Sequence, residues 1–179
     1  MARLVAFLRG INLGNRRLTM DELRDAFAGL GLEDVDTYAA SGNVIFRDPE
    51  GAPDELVDPI ENHLEETLGY PVRTLLRTLP ALERVFADGA PNAAEEENGF
   101  RAHAVFLRHE ADGDVMSALA DLEGLDDCFG AVGRQVVWLR RGGLKESPFS
   151  MRELTKALGE QDHTMRTLNT VERIVAKFG

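Results

Sequence analysis

Cysteine is nearly absent from this sequence. Cys128 is the only one among 179 residues, so no disulfide can form within the chain. Clustered metal ligands are lacking too. His63, His103, His109 and His163 are scattered, with no His-x-x-x-His or Cys-x-x-Cys pair, so neither a metal nor a cofactor is expected. Positive charge is in deficit: 20 basic side chains stand against 31 acidic ones, for a net charge of −11. Nucleic acids and anionic membranes need a positive surface, so both are disfavoured as partners. Arg9, Arg16 and Arg17 are the local exception. No stretch approaches the roughly twenty apolar residues of a membrane span. The opening Met1-Ala2-Arg3 leads into an apolar run too short for a secretory signal. The expectation is a reduced, soluble, cytoplasmic protein. Cys128 lies in Asp127-Cys128-Phe129-Gly130; with acidic rather than basic neighbours it reads as a buried, inert thiol in a strand.

What is present is ordinary globular composition, 44% hydrophobic and 28% charged, in a chain long enough to bury a core unaided. The sharpest local signal is Arg9-Gly10-Ile11-Asn12-Leu13-Gly14. It follows the strand-like run Leu4 to Leu8 and precedes Thr19-Met20-Asp21-Glu22, whose Thr-x-x-Glu spacing is that of a capping box opening a helix. Leu23, Phe27 and Leu30 form that helix's apolar face, and Gly29 and Gly31 are expected to end it in left-handed geometry. Asp34–Ala40 and Asn43–Arg47 read as strands joined by a tight turn at Ser41-Gly42. Leu56, Ile60, Leu64 and Leu68 mark a second helix, and Val72–Arg77 a fourth strand.

The order β-α-β-β-α-β is the split βαβ, or ferredoxin-like, arrangement. It places the third strand beside the first. The Arg9–Gly14 loop and the Ser41–Asn43 turn should therefore be neighbours, close to the N-terminus of the Thr19 helix, where backbone N–H groups favour anions. After a helix over 79–86, the Gly-, Pro- and Glu-rich stretch 88–99 reads as a linker. The second half repeats the order: strand 100–108, helix 114–122, a hairpin around Val132-Gly133, a helix opening at Ser147-Pro148 or at the Ser150–Glu153 box, and a final helix 169–178 with Val171, Ile174, Val175 and Phe178 inward. The repeat is visible only in the order of elements. The expected fold is α+β, two ferredoxin-like (βαββαβ-type) subdomains in tandem, at 1–87 and 100–179.

Catalytic signatures are weak. Ser41 lacks a Gly-x-Ser-x-Gly elbow and reads as a turn residue. Gly10-x-x-x-Gly14 is neither a phosphate-binding Walker loop nor a dinucleotide fingerprint. Phe7 and Phe46 could stack bases in an RNA-recognition module, but core packing accounts for both and the acidic charge opposes it. Two functions remain. In one, a small anionic or nucleotide-like ligand binds at the glycine loops through Arg9, Gly10, Asn12, Gly14, Ser41, Gly42 and Asn43. Arg166 and Asn169 would close it from the second half, the alternative for that pair being helix capping and tying the two halves together. In the other, the chain is a noncatalytic protein–protein interaction or regulatory module. Whether a reaction is catalysed, and the oligomeric state, stay open.

Several of these stretches coincide with one family's motifs. Arg9-Gly10-Ile11-Asn12-Leu13-Gly14, Met20-x-x-Leu23-Arg24, Thr37-Tyr38-x-x-Ser41-Gly42-Asn43-Val44 and Thr164-x-Arg166-x-x-Asn169-Thr170-Val171 resemble those of the bacterial domain of unknown function 1697. The resemblance implies an α+β protein of two ferredoxin-like subdomains and no established activity. The stretch 141–149 departs from it: Lys145 and Ser147 stand where the family carries a basic Ser-Lys-like segment.

Overall fold

The computed structural model describes residues 2–12, 17–48, 53–88, 99–124, 126–142 and 149–179. The first apolar run is β1 (Ala2–Arg9). The Thr19 capping box forms as expected: the Glu22 N–H donates to Thr19 Oγ1 at 3.2 Å and the Thr19 N–H donates to Glu22 Oε2 at 2.8 Å. It opens α1 (Met20–Ala28), which buries Leu23, Ala26 and Phe27. Gly31 has φ +76°, but Gly29 keeps a right-handed φ of −61°. Only the second glycine therefore exploits left-handed freedom, because one such residue suffices to turn the chain out of a helix. There follow β2 (Glu33–Thr37), β3 (Asn43–Asp48), α2 (Pro53–Leu68), β4 (Arg73–Thr78) and α3 (Leu79–Asp88).

The first sheet has strand order β2-β3-β1-β4 with all neighbours antiparallel, so the third strand does lie beside the first. Alternation along β1 sends Leu4, Ala6 and Leu8 to one face, where they join Leu23, Phe27, Ile60 and Leu64 of the two helices in a single core. Side chains of that size stabilise by about 1.5–3 kcal/mol each when fully buried. The other face carries Val5, Phe7, Ile45, Leu75 and Arg77, and these are buried as well.

The second half repeats this with β5 (Phe100–Leu107), α4 (Gly113–Ala120), β6 (Asp127–Val132), β7 (Gln135–Arg141), α5 (Met151–Ala157), β8 (His163–Thr167) and α6 (Leu168–Phe178). Its sheet order, β6-β7-β5-β8, is again antiparallel throughout. Val105, Leu107, Val136 and Trp138 pack there with Leu119 of α4 and Leu154 of α5. The chain divides into two compact units, Met1–Ala81 with Lys177–Gly179, and Leu82–Ala176. The tip of α6 is thus counted with the first sheet: Arg3 Nη1 donates to the Phe178 carbonyl at 2.6 Å and Lys177 Nζ lies 3.5 Å from Asp36.

Three local expectations change and one alternative is decided. The β2–β3 connection spans Tyr38–Gly42 and needs positive φ at both Ala39 (+57°) and Gly42 (+76°), so it is longer than a two-residue hairpin. Cys128 is exposed, not buried. Its neighbour Asp127 takes the inward position to accept the Trp138 indole N–H at 2.8 Å, and strand alternation then turns Cys128 outward. The helix after β7 is opened by the Ser150–Glu153 box; Ser147 and Pro148 lie outside the described residues, as does 89–98 of the expected linker. In α6, Val171, Ile174 and Phe178 are buried, whereas Val175 is only half-buried.

The halves also repeat at residue level, which the sequence order alone did not reveal. Phe7 lies opposite Asn43 and Leu75, as Phe106 lies opposite Gln135 and Thr164. In that frame Arg77-Thr78-Leu79 and Arg166-Thr167-Leu168 are equivalent. Each threonine hydroxyl caps the helix that follows, accepting from Ala81 N–H (3.3 Å) and Thr170 N–H (3.3 Å). Each arginine is buried and donates through Nη1 to the carbonyl just before it, Leu76 at 2.7 Å and Met165 at 2.8 Å.

Candidate functional site

The two loops singled out in the sequence do meet. Leu8 N–H donates to the Gly42 carbonyl at 2.9 Å where β1 ends. Gly10 (φ +80°) then turns the chain and buries Ile11 against Gly42. Asn12 ties the loops together: its Nδ2 donates to the Ala40 carbonyl and its Oδ1 accepts from Leu18 N–H, both at 3.0 Å. Asn43 is fully buried. Its Nδ2 donates to the Tyr38 carbonyl at 2.7 Å and to Ser41 Oγ at 3.0 Å, while its carbonyl accepts from Tyr38 N–H at 3.0 Å. The Asn12, Ser41 and Asn43 side chains therefore hold the loops in shape. Gly14 lies outside the described residues, as do Arg16, Lys145 and Ser147.

The start of α1 already carries its own carboxylate. Glu22 accepts from both the backbone and hydroxyl of Thr19, and these hydrogen bonds hold its acid below the usual carboxylate range. An external anion would meet that charge, so the positive character near the loops must come from elsewhere.

It comes from Arg9. This residue is exposed, and its guanidinium has no hydrogen bond or ion pair among the described residues. Directly across the β1–β4 ladder stands a second arginine, Arg73, which the sequence reading missed although antiparallel pairing of the first and fourth strands implies the contact. Arg73 Nη1 is 2.8 Å from Glu61 Oε2, and Glu61 Oε1 accepts from Thr74 N–H at 2.9 Å. The second half supplies a comparison. There the residue equivalent to Arg9 is Arg108, whose N–H donates to the Asp162 carbonyl and whose guanidinium lies 3.5 Å from the Asp162 carboxylate. An arginine pair at one sheet end thus corresponds to an arginine–aspartate pair at the other.

Arg166 and Asn169 belong to the second unit. Arg166 is buried and bonds Thr164 Oγ1 at 2.9 Å as well as the Met165 carbonyl; burial lowers its pKa to about 10. Asn169 is exposed on the first turn of α6, and the cap there is Thr167. Also in this unit, the buried His103 ring sits 5.7 Å from Trp138. Burial foremost, then the Arg140 and Arg101 charges, lower its pKa, against a weaker upward pull from the Arg101 backbone. Among the described residues no three metal-ligating side chains converge, and no helix is long and apolar enough to cross a membrane.

The molecule is an α+β protein of two four-stranded antiparallel sheets with six helices among the described residues. It belongs to the DUF1697 family, proteins of unknown function, whose model matches residues 1–138. That span contains both loops and ends before Thr164–Val171. The conserved bacterial protein SP0830 from Streptococcus pneumoniae has a similar structure, with a TM-score of 0.70 and 23% identity over 99% of this chain and 98% of that one. At that identity the likeness concerns the fold. No curated protein matches the chain.

Proposed function

We propose that each half is a ferredoxin-like subdomain and that the loop end of the first sheet binds a small anionic or nucleotide-like ligand. The strand orders and wholly antiparallel pairing support the first part. The charge of the Arg9–Arg73 pair supports the second. Like charges opposite one another across a ladder repel, and among the described residues only Arg73 of the two has a carboxylate beside it. A phosphate or carboxylate group at Arg9 would relieve that repulsion through charge-assisted hydrogen bonds. The loops serve as scaffold: Asn12, Ser41 and Asn43 fix the turn, and the glycines at 10 and 42 let the backbone approach.

The test is a thermal-shift titration of wild type, Arg9→Ala and Arg108→Ala with inorganic phosphate and with adenosine monophosphate. A ligand at a hundredfold its Kd stabilises by about 2.7 kcal/mol, a rise of roughly 5–10 °C for a chain of this size. Wild type and Arg108→Ala should show the rise, because Arg108 is already paired, and Arg9→Ala should not. An equal rise in folded Arg9→Ala would refute the assignment. No rise in any protein would favour an interaction module instead.

A further inference from the structure

We propose that the groove between α1 and α2 binds an aliphatic ammonium ion, an alkylamine or a polyamine. The groove is a cavity of about 440 Å3 on the helix layer of the first unit. It is lined by the apolar Leu18 and Ala26, both buried, and Leu68, together with the exposed Glu22 and Asp25 of α1 and with His63 and Thr67 of α2. A hydrocarbon stem over carboxylates at the mouth is the arrangement that suits an amphipathic cation, whose chain lies on apolar surface while its head stays wet.

Charge selects the class. Over its sixteen residues α2 contains no lysine or arginine. The single arginine of α1, Arg24, is engaged by Asp21 at 2.9 Å and approaches Asp36 at 3.9 Å. The Asp25 carboxylate, in contrast, is exposed and has no hydrogen bond or ion pair among the described residues. Glu22 is held as an anion by Thr19, with Oε2 turned to the cap. Arg17, exposed next to Leu18, is outnumbered by Glu22 and Asp25 at the groove, so the balance favours a cation with an aliphatic stem over an anion. The groove is open and suits one small molecule, and His63, 3.4 Å from Thr67 Oγ1 and beside Gly29, is one of its lining residues.

The experiment follows amide chemical shifts while wild type, Asp25→Asn and Glu55→Gln are titrated with n-butylammonium and, separately, with ammonium chloride. Glu55 lies in the first turn of α2, at the opposite end of the helix from Thr67, so its loss makes the same change in net charge outside the groove. In wild type, shifts should move around residues 18–26 and 63–68, and n-butylammonium should bind more tightly than ammonium. Asp25→Asn should weaken binding by up to about five-fold, the range for one exposed ion pair. Glu55→Gln should leave it unchanged. Equal weakening by both substitutions would mean a diffuse attraction to an acidic surface and would overturn the proposal. So would equal affinity for the two cations, or no localised shift at the highest amine concentration.

Discussion

Replacing Gly42 by alanine should destabilise the first unit by two separable effects. Gly42 has φ +76°, a left-handed conformation that costs an L-residue about 1–2 kcal/mol. A Cβ there would also lie 2.6 Å from Ile11 Cδ1, 3.1 Å from Ile11 Cγ1 and 3.2 Å from Leu8 Cβ. The isoleucine tip can rotate, but Ile11 is buried and Leu8 Cβ is fixed by β1, so the overpacking adds roughly 1–3 kcal/mol. Gly31 supplies the control, because it has the same φ of +76° and nothing within 4 Å of its would-be Cβ. Gly31→Ala should therefore cost only the first amount. Urea unfolding followed by far-UV circular dichroism would measure the difference. Fluorescence of Trp138, the one tryptophan and a residue of the second unit, shows whether that unit loses stability too. Equal destabilisation by the two substitutions would refute the claim that Gly42 is required for the close approach of the loops.

Because Cys128 is exposed on β6, a maleimide should label it stoichiometrically in the folded protein, at a rate that added urea does not need to raise; labelling only after unfolding would contradict the outward orientation. His103 should make the protein acid-sensitive. Its folded-state pKa is lowered, so as pH falls through the unfolded-state value the unfolded chain takes up a proton that the native state resists, and stability declines. In urea midpoints between pH 7.5 and 5, His103→Gln should show a flatter dependence than wild type. Identical slopes would show that carboxylates elsewhere account for the whole effect.

The regular elements could be read from the sequence because their signals are local. The Thr19–Glu22 and Ser150–Glu153 boxes satisfy helix N–H groups within four residues, and the Leu56–Leu68 stripe needs only helical periodicity. The neighbouring loops followed from topology, since a strand order with the third strand beside the first permits little else. Side-chain assignments were harder because they depend on register. Cys128 faces outward because Trp138 claims Asp127 across the hairpin, and a one-residue shift would have reversed both. For the same reason Asn12 and Asn43 looked like ligand contacts in sequence, yet their amides are engaged by Ala40, Leu18, Tyr38 and Ser41. Arg73 escaped notice because nothing in its own segment marks it; its importance comes from standing across from Arg9.

The repeated halves allow structural and functional reasons for a residue to be separated. Arg77 and Arg166 occupy the same register, are both buried and make the same main-chain hydrogen bond, as expected of a side chain that finishes the last strand of either sheet. Arg9 and Arg108 also share a register, but their partners differ: Arg73 for one, Asp162 for the other. The second half thus demonstrates that this architecture accommodates a neutral ion pair at the position. Two arginines facing across the ladder are destabilising; the buried Glu61 beside Arg73 offsets that charge, while Arg9 has no such partner among the described residues. An Arg9 charge with no carboxylate among the described residues, beside two loops whose polar side chains are already occupied in holding their shape, is the physical reason for placing the proposed anion at Arg9 and not at Arg108.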